Sequence, residues 1–430
     1  MANNKPALKK ELGLLELTVS GVGNILGAGI YVLIGKAAGL AGNALWMSFL
    51  FAGIAISFTG LSYMELSSMF PKAGAEYVYV KQAFGDKMAF LVGWFVLVGE
   101  TIAISTVALG FGGYFGTLFG TAVLPVAIIL ILVFTLILFT GVKLSVRFAI
   151  IMTATGVMGL LVVIVIGLPY MGSINYLDVT SLSGLFEASA LVFFAFLGFE
   201  EIVRLSQETK NPEKTTTKAL VLAIVVTVSL YILIALTAVS VYNWQELAKS
   251  SAPLADVASV AFGKNAFELI IVIALFSTAN AVLFMLLGSS RILYGMAEHG
   301  AIPNIIAWVH PSRRTPWIAI STIALVSISL TFIGDIATVA NISNFMVFLI
   351  FITVNITLIR LRFCDSFKYR PFRVPLNIGN FPIIPLLGTV STMILFLHLN
   401  LTVIIYGFLF VGIGVLIIGI KSRNQTTLIR

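Results

Sequence analysis

The residues whose types and spacing point to chemistry are four glycines within Gly21-Val22-Gly23-Asn24-Ile25-Leu26-Gly27-Ala28-Gly29. They lie in an apolar segment, residues 14–40, long enough to cross a bilayer at about 1.5 Å per residue. Each glycine costs a helix interior about 0.5–1 kcal/mol against alanine, so helix stability is not why they are there. If the helix unwinds at Gly27-Ala28-Gly29, two sets of main-chain groups face a protected space in the middle of the bilayer: the N–H groups opening its second half and the C=O groups closing its first. Such a break is tolerated only where it is shielded from lipid. Donors at the positive end of a helix dipole suit a carboxylate, and the carbonyls suit a cation. Together they form a receptor for a small zwitterion, the arrangement by which discontinuous helices serve transporters. The plainer reading is that Gly23 and Gly27, at small-xxx-small spacing, only let helices approach closely.

A second stretch repeats the pattern. Ala190-Leu191-Val192-Phe193-Phe194-Ala195-Phe196-Leu197-Gly198-Phe199-Glu200-Glu201 places a small residue and a glycine inside an apolar segment and follows them with two carboxylates. An uncompensated charge at membrane depth is expensive, so a second interruption is expected here. The two breaks are five apolar segments apart, an odd number, so the second enters the bilayer from the opposite side. Interrupted helices at matching places of inverted halves mark a substrate site near the midplane. The alternative is a pair of glycine-bearing packing helices with two acids at one end.

Isolated polar groups supply further candidates. Glu100, in Val98-Gly99-Glu100-Thr101 of the third apolar segment, is an intramembrane carboxyl. Its roles would be to carry a proton, to pair with a basic substrate side chain, or to bond a polar neighbour structurally. Ser277 and Thr278 offer hydroxyl oxygens which, with carbonyls near Val22 or Ile25, could surround a sodium ion, although hydroxyls in helices commonly bond their own backbone. Glu201 and Arg204 stand at i, i+3 and suit a local ion pair; the sharper reading joins them with Glu200 in an intracellular gate shared with Lys10, Lys81 or Arg147. No catalytic constellation is present in the sequence. His299, His310 and His398 lack metal-ligand spacing. The glycine run has no Gly-Lys-Ser/Thr ending, so neither an enzyme nor a nucleotide or other cofactor is expected. The single cysteine, Cys364, excludes an internal disulfide.

These groups need a scaffold, and composition specifies which. With 59% hydrophobic and 10% charged residues, against about 25% charged in an average globular chain, this is a polytopic membrane protein. Its mean hydropathy of +1.06 agrees. The net charge of +8 would suggest nucleic acid in a soluble chain, but the basic residues occupy the short gaps between apolar segments, which is a topology signal. Those segments fall at residues 14–40, 44–70, 88–114, 121–141, 147–170, 184–206, 217–242, 265–297, 316–334, 336–359, 381–398 and 400–420, giving twelve candidate spans. The narrowest divisions are at Asp335 and Asn400. With the N-terminus inside, every Lys and Arg except Lys36, Lys249 and Lys264 is cytoplasmic, so both termini are expected there. The polar start, Met1 to Glu11, leads into a full span without the pattern of a cleavable signal.

Gly27-Ala28-Gly29-Ile30-Tyr31 resembles the glycine-small-glycine-Ile-aromatic signature of the amino acid-polyamine-organocation superfamily. Pro71 to Tyr77 with Phe84-Gly85 resembles its loop after span two, and Phe193 to Glu200 with Glu208, Asn211 and Pro212 its sixth span and following loop. Gly85 to Trp94 and Arg291 to Pro303 are similar too, most of all to prokaryotic amino acid permeases of the cationic amino acid transporter type. The resemblance covers residues 10–360. It implies an all-α integral membrane fold of twelve transmembrane helices: two inverted five-helix repeats with helices one and six broken, plus two peripheral helices. In this sequence that means a cytoplasmic segment 1–13, repeats at 14–170 and 184–360, peripheral helices within 381–420 and a cytoplasmic tail 421–430. The implied activity is secondary active transport of amino acids, as symporter or antiporter, by alternating access.

Carried over residue by residue, the resemblance puts the substrate carboxylate on N–H groups of Ala28 and Gly29, just after Gly27. The ammonium goes to carbonyls of Ile25 and of the Phe194, Ala195 and Leu197 stretch. Phe194 becomes an aromatic gate, against the plainer alternative of a lipid-facing or core ring. The sequence departs from the family at Gly156, where many proton-coupled relatives carry a lysine, so a lysine-based proton switch is not expected. Three couplings stay open: sodium at Val22, Ser277 and Thr278; a proton on Glu100; or exchange without an ion. The acid of cationic transporters aligns with Gly99, about 100° around the helix from Glu100. Ala28, Phe194, Ala195, Ser277, Thr278, Asn280 and Asn341 suggest neutral or mildly polar substrate side chains, with cationic ones if Glu100 faces inward. The rivals are a polyamine or organic amine permease and a non-transporting amino acid receptor of the same fold.

Overall fold

Inside a bilayer no water pairs with the backbone, so each spanning segment must satisfy its own N–H and C=O groups, and helix is the result. The computed structural model describes residues 12–26, 29–70, 75–140, 145–204, 209–298, 302–313, 315–333, 335–365 and 369–427, without the side chains of Ser20, 145–153, Glu201, Arg204, Ala261 and 420–427. Its helices are α1 (Leu14–Ile25), α2 (Gly29–Ala41), α3 (Leu45–Met69), α4 (Ala75–Phe84), α5 (Asp86–Phe119), α6 (Val123–Thr140), α7 (Ser145–Gly167), α8 (Leu182–Val192), α9 (Glu200–Arg204), α10 (Pro212–Val241), α11 (Trp244–Lys249), α12 (Pro253–Glu298), α13 (Trp317–Thr331), α14 (Ile336–Cys364), α15 (Ile383–Leu397) and α16 (Leu401–Thr427). The only strands among the described residues are two short ones, β1 (Asn377–Ile378) and β2 (Phe381–Pro382), paired antiparallel.

Seven helices are long and apolar enough to cross a membrane, or eight if the bent pair α1 and α2 counts as one span. Shorter apolar helices cover Ala154–Tyr170, Leu182–Phe196, Trp317–Thr331 and Ile383–Leu397. The chain is therefore an all-α, multi-pass membrane protein. Its narrow divisions are set by capping. The Asp335 carboxylate accepts the Thr338 N–H at 3.0 Å and starts α14, and the Asn400 side chain accepts the Val403 N–H at 2.9 Å at the head of α16. The spanning windows of α5 and α14 are each 72% buried and that of α16 only 17%, so the first two form the centre and α16 lies at the edge. Around that centre α12 packs on α5 and α7, α3 on α10, and α2 on α8.

Two of the apolar segments are not continuous helices. α1 stops at Ile25, with the Leu26 N–H closing on the Val22 carbonyl at 2.8 Å, and α2 begins at Gly29 at an angle of 44°. α8 tightens into a 3₁₀ turn over Phe193–Phe196, passes through extended Leu197 and reaches Gly198 at φ 116° before α9 starts. That φ strains any residue with a side chain, and a Cβ on Gly198 would also stand 3.1 Å from the Asn24 carbonyl carbon and oxygen.

Candidate functional site

The two interruptions lie against each other. A Cβ added to Gly29 would come within 2.4 Å of the Ala195 Cα, so only glycine lets α2 start this close to the 3₁₀ turn. Asn24 and Gly198 touch on the other side of the same crossing. The helix ends that face one another thus bring together main-chain groups that ordinary helices keep to themselves.

Side chains from other helices answer some of those groups. The Tyr231 hydroxyl of α10 stands 2.8 Å from the Ile25 carbonyl and 2.7 Å from the Ala195 carbonyl, one from each break. Phe196 and Phe49 hold its ring, with centroids 4.9 and 5.6 Å away. A phenol has a single proton, so it fully satisfies one of the two carbonyls at a time. The Asn344 amide of α14 donates to the Ala190 carbonyl at 2.7 Å, in the last turn of α8. Within α2, Tyr31 donates to the Gly156 carbonyl at 2.6 Å and its own carbonyl accepts the Tyr114 hydroxyl at 2.9 Å, tying α2 to α7 and α5.

Of the residues singled out in the sequence, Ile25, Gly29, Phe194 and Ala195 are buried at this crossing, and Leu197 is half-buried beside them. Gly27 and Ala28 lie outside the described residues. Phe193, Phe196 and Phe199 pack ring on ring with Phe348, Tyr231 and Tyr63, whereas Phe194, 3% exposed, makes no ring contact among the described residues. The Val22 carbonyl is taken by Leu26, and the Thr278 hydroxyl donates to the Ala274 carbonyl of its own helix at 2.7 Å. Ser277 is buried against α7, where a Cβ on Gly156 would stand 2.9 Å from its hydroxyl oxygen. Glu100 accepts the Ser289 hydroxyl at 3.2 Å, and Ser289 is about 18 Å along α12 from Ser277, so this carboxyl does not join the hydroxyl pair. Its neighbour Gly99 faces Met346 and Ser343 on α14 instead. Glu200 accepts the Gly198 N–H at 2.9 Å. Lys81 pairs with Asp86 at 2.7 Å on the surface, and the side chains of Glu201, Arg204 and Arg147, like Lys10, lie outside the described set.

Sequence reasoning missed a second polar cluster at the ends of α3 and α14. Glu65, fully buried, accepts Arg362 Nη2 at 2.6 Å, Arg370 Nε at 3.0 Å and the Val374 N–H at 2.8 Å. Just above it, Asn355 accepts the Ser62 hydroxyl at 2.6 Å and donates to the Thr59 hydroxyl at 3.0 Å. Tyr231 and Asn344 were missed as well. A lone phenol in the aliphatic α10 and an amide in the middle of α14 were the signals that could have found them.

The family model for amino acid permeases matches residues 12–427. The branched-chain amino acid permease BcaP of Bacillus subtilis is 30% identical over 450 aligned positions, covering 99% of this chain and 96% of the relative. The methylthioribose transporter of the same organism is 28% identical, covering 98% and 95%. The vacuolar cationic amino acid transporter 4 of Arabidopsis thaliana is 30% identical, covering 86% of this chain and 65% of its own length.

Proposed function

The chain belongs to the amino acid permease family, and from that premise we propose that it carries neutral aliphatic amino acids across the membrane by alternating access. It is a multi-pass permease of the amino acid-polyamine-organocation superfamily and not an enzyme. In this reading twelve spans form two inverted five-helix repeats, at 14–170 and 184–360, with the helices of 381–420 at the periphery and both termini in the cytoplasm.

The observation that carries the reading is the single Tyr231 proton shared between the Ile25 and Ala195 carbonyls. Two acceptors with one donor leave a deficit that an ammonium, with three N–H groups, removes. The substrate carboxylate goes to the N–H groups opening α2 at Ala28 and Gly29, on the positive end of that helix. Phe194, buried beside Ala195 at the crossing, covers the side chain. The branched-chain permease among the relatives and the apolar surroundings favour valine, leucine and isoleucine.

Thermal-shift measurements against amino acids, amines and methylthioribose test the ligand class, and counterflow of radiolabelled valine in proteoliposomes tests transport. Stabilisation by valine together with counterflow supports the reading. A response to amines alone gives the organic amine reading, and binding without counterflow gives the receptor. Gly156 supplies no ammonium, so coupling is sought in uptake with and without a sodium gradient at fixed pH. Indifference to both sodium and pH gradients indicates exchange.

A further inference from the structure

The segment between α14 and α15 carries more positive charge than its surroundings answer. It is strapped to the end of α3, where the Val374 N–H reaches Glu65 at 2.8 Å and the Phe372 N–H reaches the Ser68 hydroxyl at 3.3 Å. From the last turns of α14 to the start of α15 the chain holds Arg360, Arg362, Lys368, Arg370 and Arg373 against a single acid, Asp365. Glu65, brought in by packing, is the second acid.

The guanidinium groups are unequally served. Arg370 is tied to Glu65 at 3.0 Å and to the carbonyls of Leu361 and Asp365 at 2.9 and 3.1 Å. Arg362, only 2% exposed, gives Nη2 to Glu65, but its Nε and Nη1 are buried and meet no acceptor among the described residues. Donors left unanswered on a buried charge are costly. Arg373 is exposed, and its side chain has no ion pair or hydrogen bond among the described residues. Arg370 and Arg373 both stand close enough to Arg362 to repel its charge. What the cluster lacks is an anion.

Its surroundings indicate which one. The membrane-crossing helix α14 ends at Cys364, so the cluster lies at the bilayer surface. Beside it Phe363, Tyr369, Leu376 and Ile378 are each more than half exposed, Leu376 from left-handed backbone at φ 58°. A free anion gains nothing from such side chains. A phospholipid offers them glycerol and acyl carbons and offers the arginine forks a phosphate. Basic clusters just beyond a membrane-crossing helix suit anionic headgroups.

We propose that this cluster binds the phosphate of an anionic phospholipid, with Arg373 and the spare nitrogens of Arg362 as donors and Tyr369, Leu376 and Ile378 resting in the interface beside it. The lipid supplies the acceptor that Glu65 alone cannot, and so strengthens the junction of α3 and α14. This binding needs only that the chain spans a membrane and is independent of its cargo. In the topology proposed above, the lipid belongs to the cytoplasmic leaflet.

The test follows the melting temperature of the full chain in detergent during titration with phosphatidylglycerol, and with phosphatidylcholine as the lipid of no net charge. The parent should be stabilised by the first at concentrations where the second has no effect. Arg373→Gln, which breaks no contact, should need about fivefold more phosphatidylglycerol for the same shift. Arg362→Lys keeps a charge opposite Glu65 but deletes the spare guanidinium N–H groups, and should weaken the response as well. If that variant does not fold, Arg373→Gln carries the comparison alone. Arg313→Gln removes an exposed arginine from the loop ahead of α13 and should titrate like the parent. A parent that responds to both lipids alike overturns the proposal, as does an Arg373→Gln variant that titrates like the parent. Equal weakening by Arg313→Gln also overturns it, because the lipid then responds to overall charge. Stabilisation by inorganic phosphate as large as that by phosphatidylglycerol makes the cluster a free-anion site and overturns the lipid assignment.

Discussion

The crossing of the broken helices and the cluster around Glu65 both bury polar groups between helices, but with different chemistry. At the crossing the partners are neutral: a phenol, an amide and backbone carbonyls. At Glu65 they are full charges, one carboxylate taking Arg362, Arg370 and a backbone N–H. A neutral hydrogen bond contributes about 0.5–1.5 kcal/mol net, so a ligand that brings its own donors can replace it at little cost. Removing one partner of a buried ion pair costs about 3–5 kcal/mol. The first arrangement suits a place that changes partners during a cycle, the second a joint between α3 and α14 that stays assembled.

The largest expected effect breaks the joint. Glu65→Gln leaves two buried guanidinium groups facing each other and should lower stability by about 3–5 kcal/mol, read as a lower melting temperature in detergent or loss of a monodisperse protein. A variant as stable as the parent would make Glu65 an ordinary surface-like contact. Next comes steric closure of the crossing. Gly29→Val forces atoms into Ala195 and should abolish uptake while costing only about 1–3 kcal/mol of stability, checked by uptake and melting on the same preparation. Smaller again is Tyr231→Phe, which leaves both carbonyls without the phenol. Stability without ligand should fall by about 1–3 kcal/mol, and valine should raise the melting temperature more in this variant than in the parent, because the ammonium then supplies the missing donor. An equal shift in both proteins would separate Tyr231 from the ligand.

The smallest effect concerns an acid outside both regions. Asp256 lies ahead of the membrane-crossing part of α12, and desolvation pushes its carboxyl up more than the hydrogen bond from Ser250 draws it down. A carboxyl raised in the folded state stabilises fully below its unfolded pKa and loses that contribution as pH rises through the folded value. Asp256→Asn should therefore flatten the decline of melting temperature with rising pH through the acid range. An unchanged slope would assign the decline to other groups.

Much of the scaffold was legible because membrane spans announce themselves by hydropathy, and the cuts at Asp335 and Asn400 because both residues cap helices. The long α12 begins at Pro253, well before the apolar run from residue 265, since its first turns lie outside the hydrophobic stretch and bend at Gly263. Both interruptions could be read from glycines placed where a helix loses by having them. What answers their open carbonyls could not. Tyr231 is 206 residues from Ile25 in sequence, and Arg362 is 297 from Glu65, and no periodicity relates such pairs. Glu65 sits in a span without any motif, so its burial emerges only from packing. Ser277 and Thr278 were chosen for their oxygens, but which way a hydroxyl turns is settled by its nearest carbonyl, here Ala274 for Thr278.

The central claim is that main-chain groups at the two breaks grip both charges of an amino acid. Calorimetric titration of the purified protein with valine, 3-methylbutanoate and isobutylamine separates those charges, since each analogue lacks one of them. Each analogue should bind at least about tenfold more weakly than valine, a loss of about 1.4 kcal/mol or more. An analogue that binds as tightly as valine would contradict it.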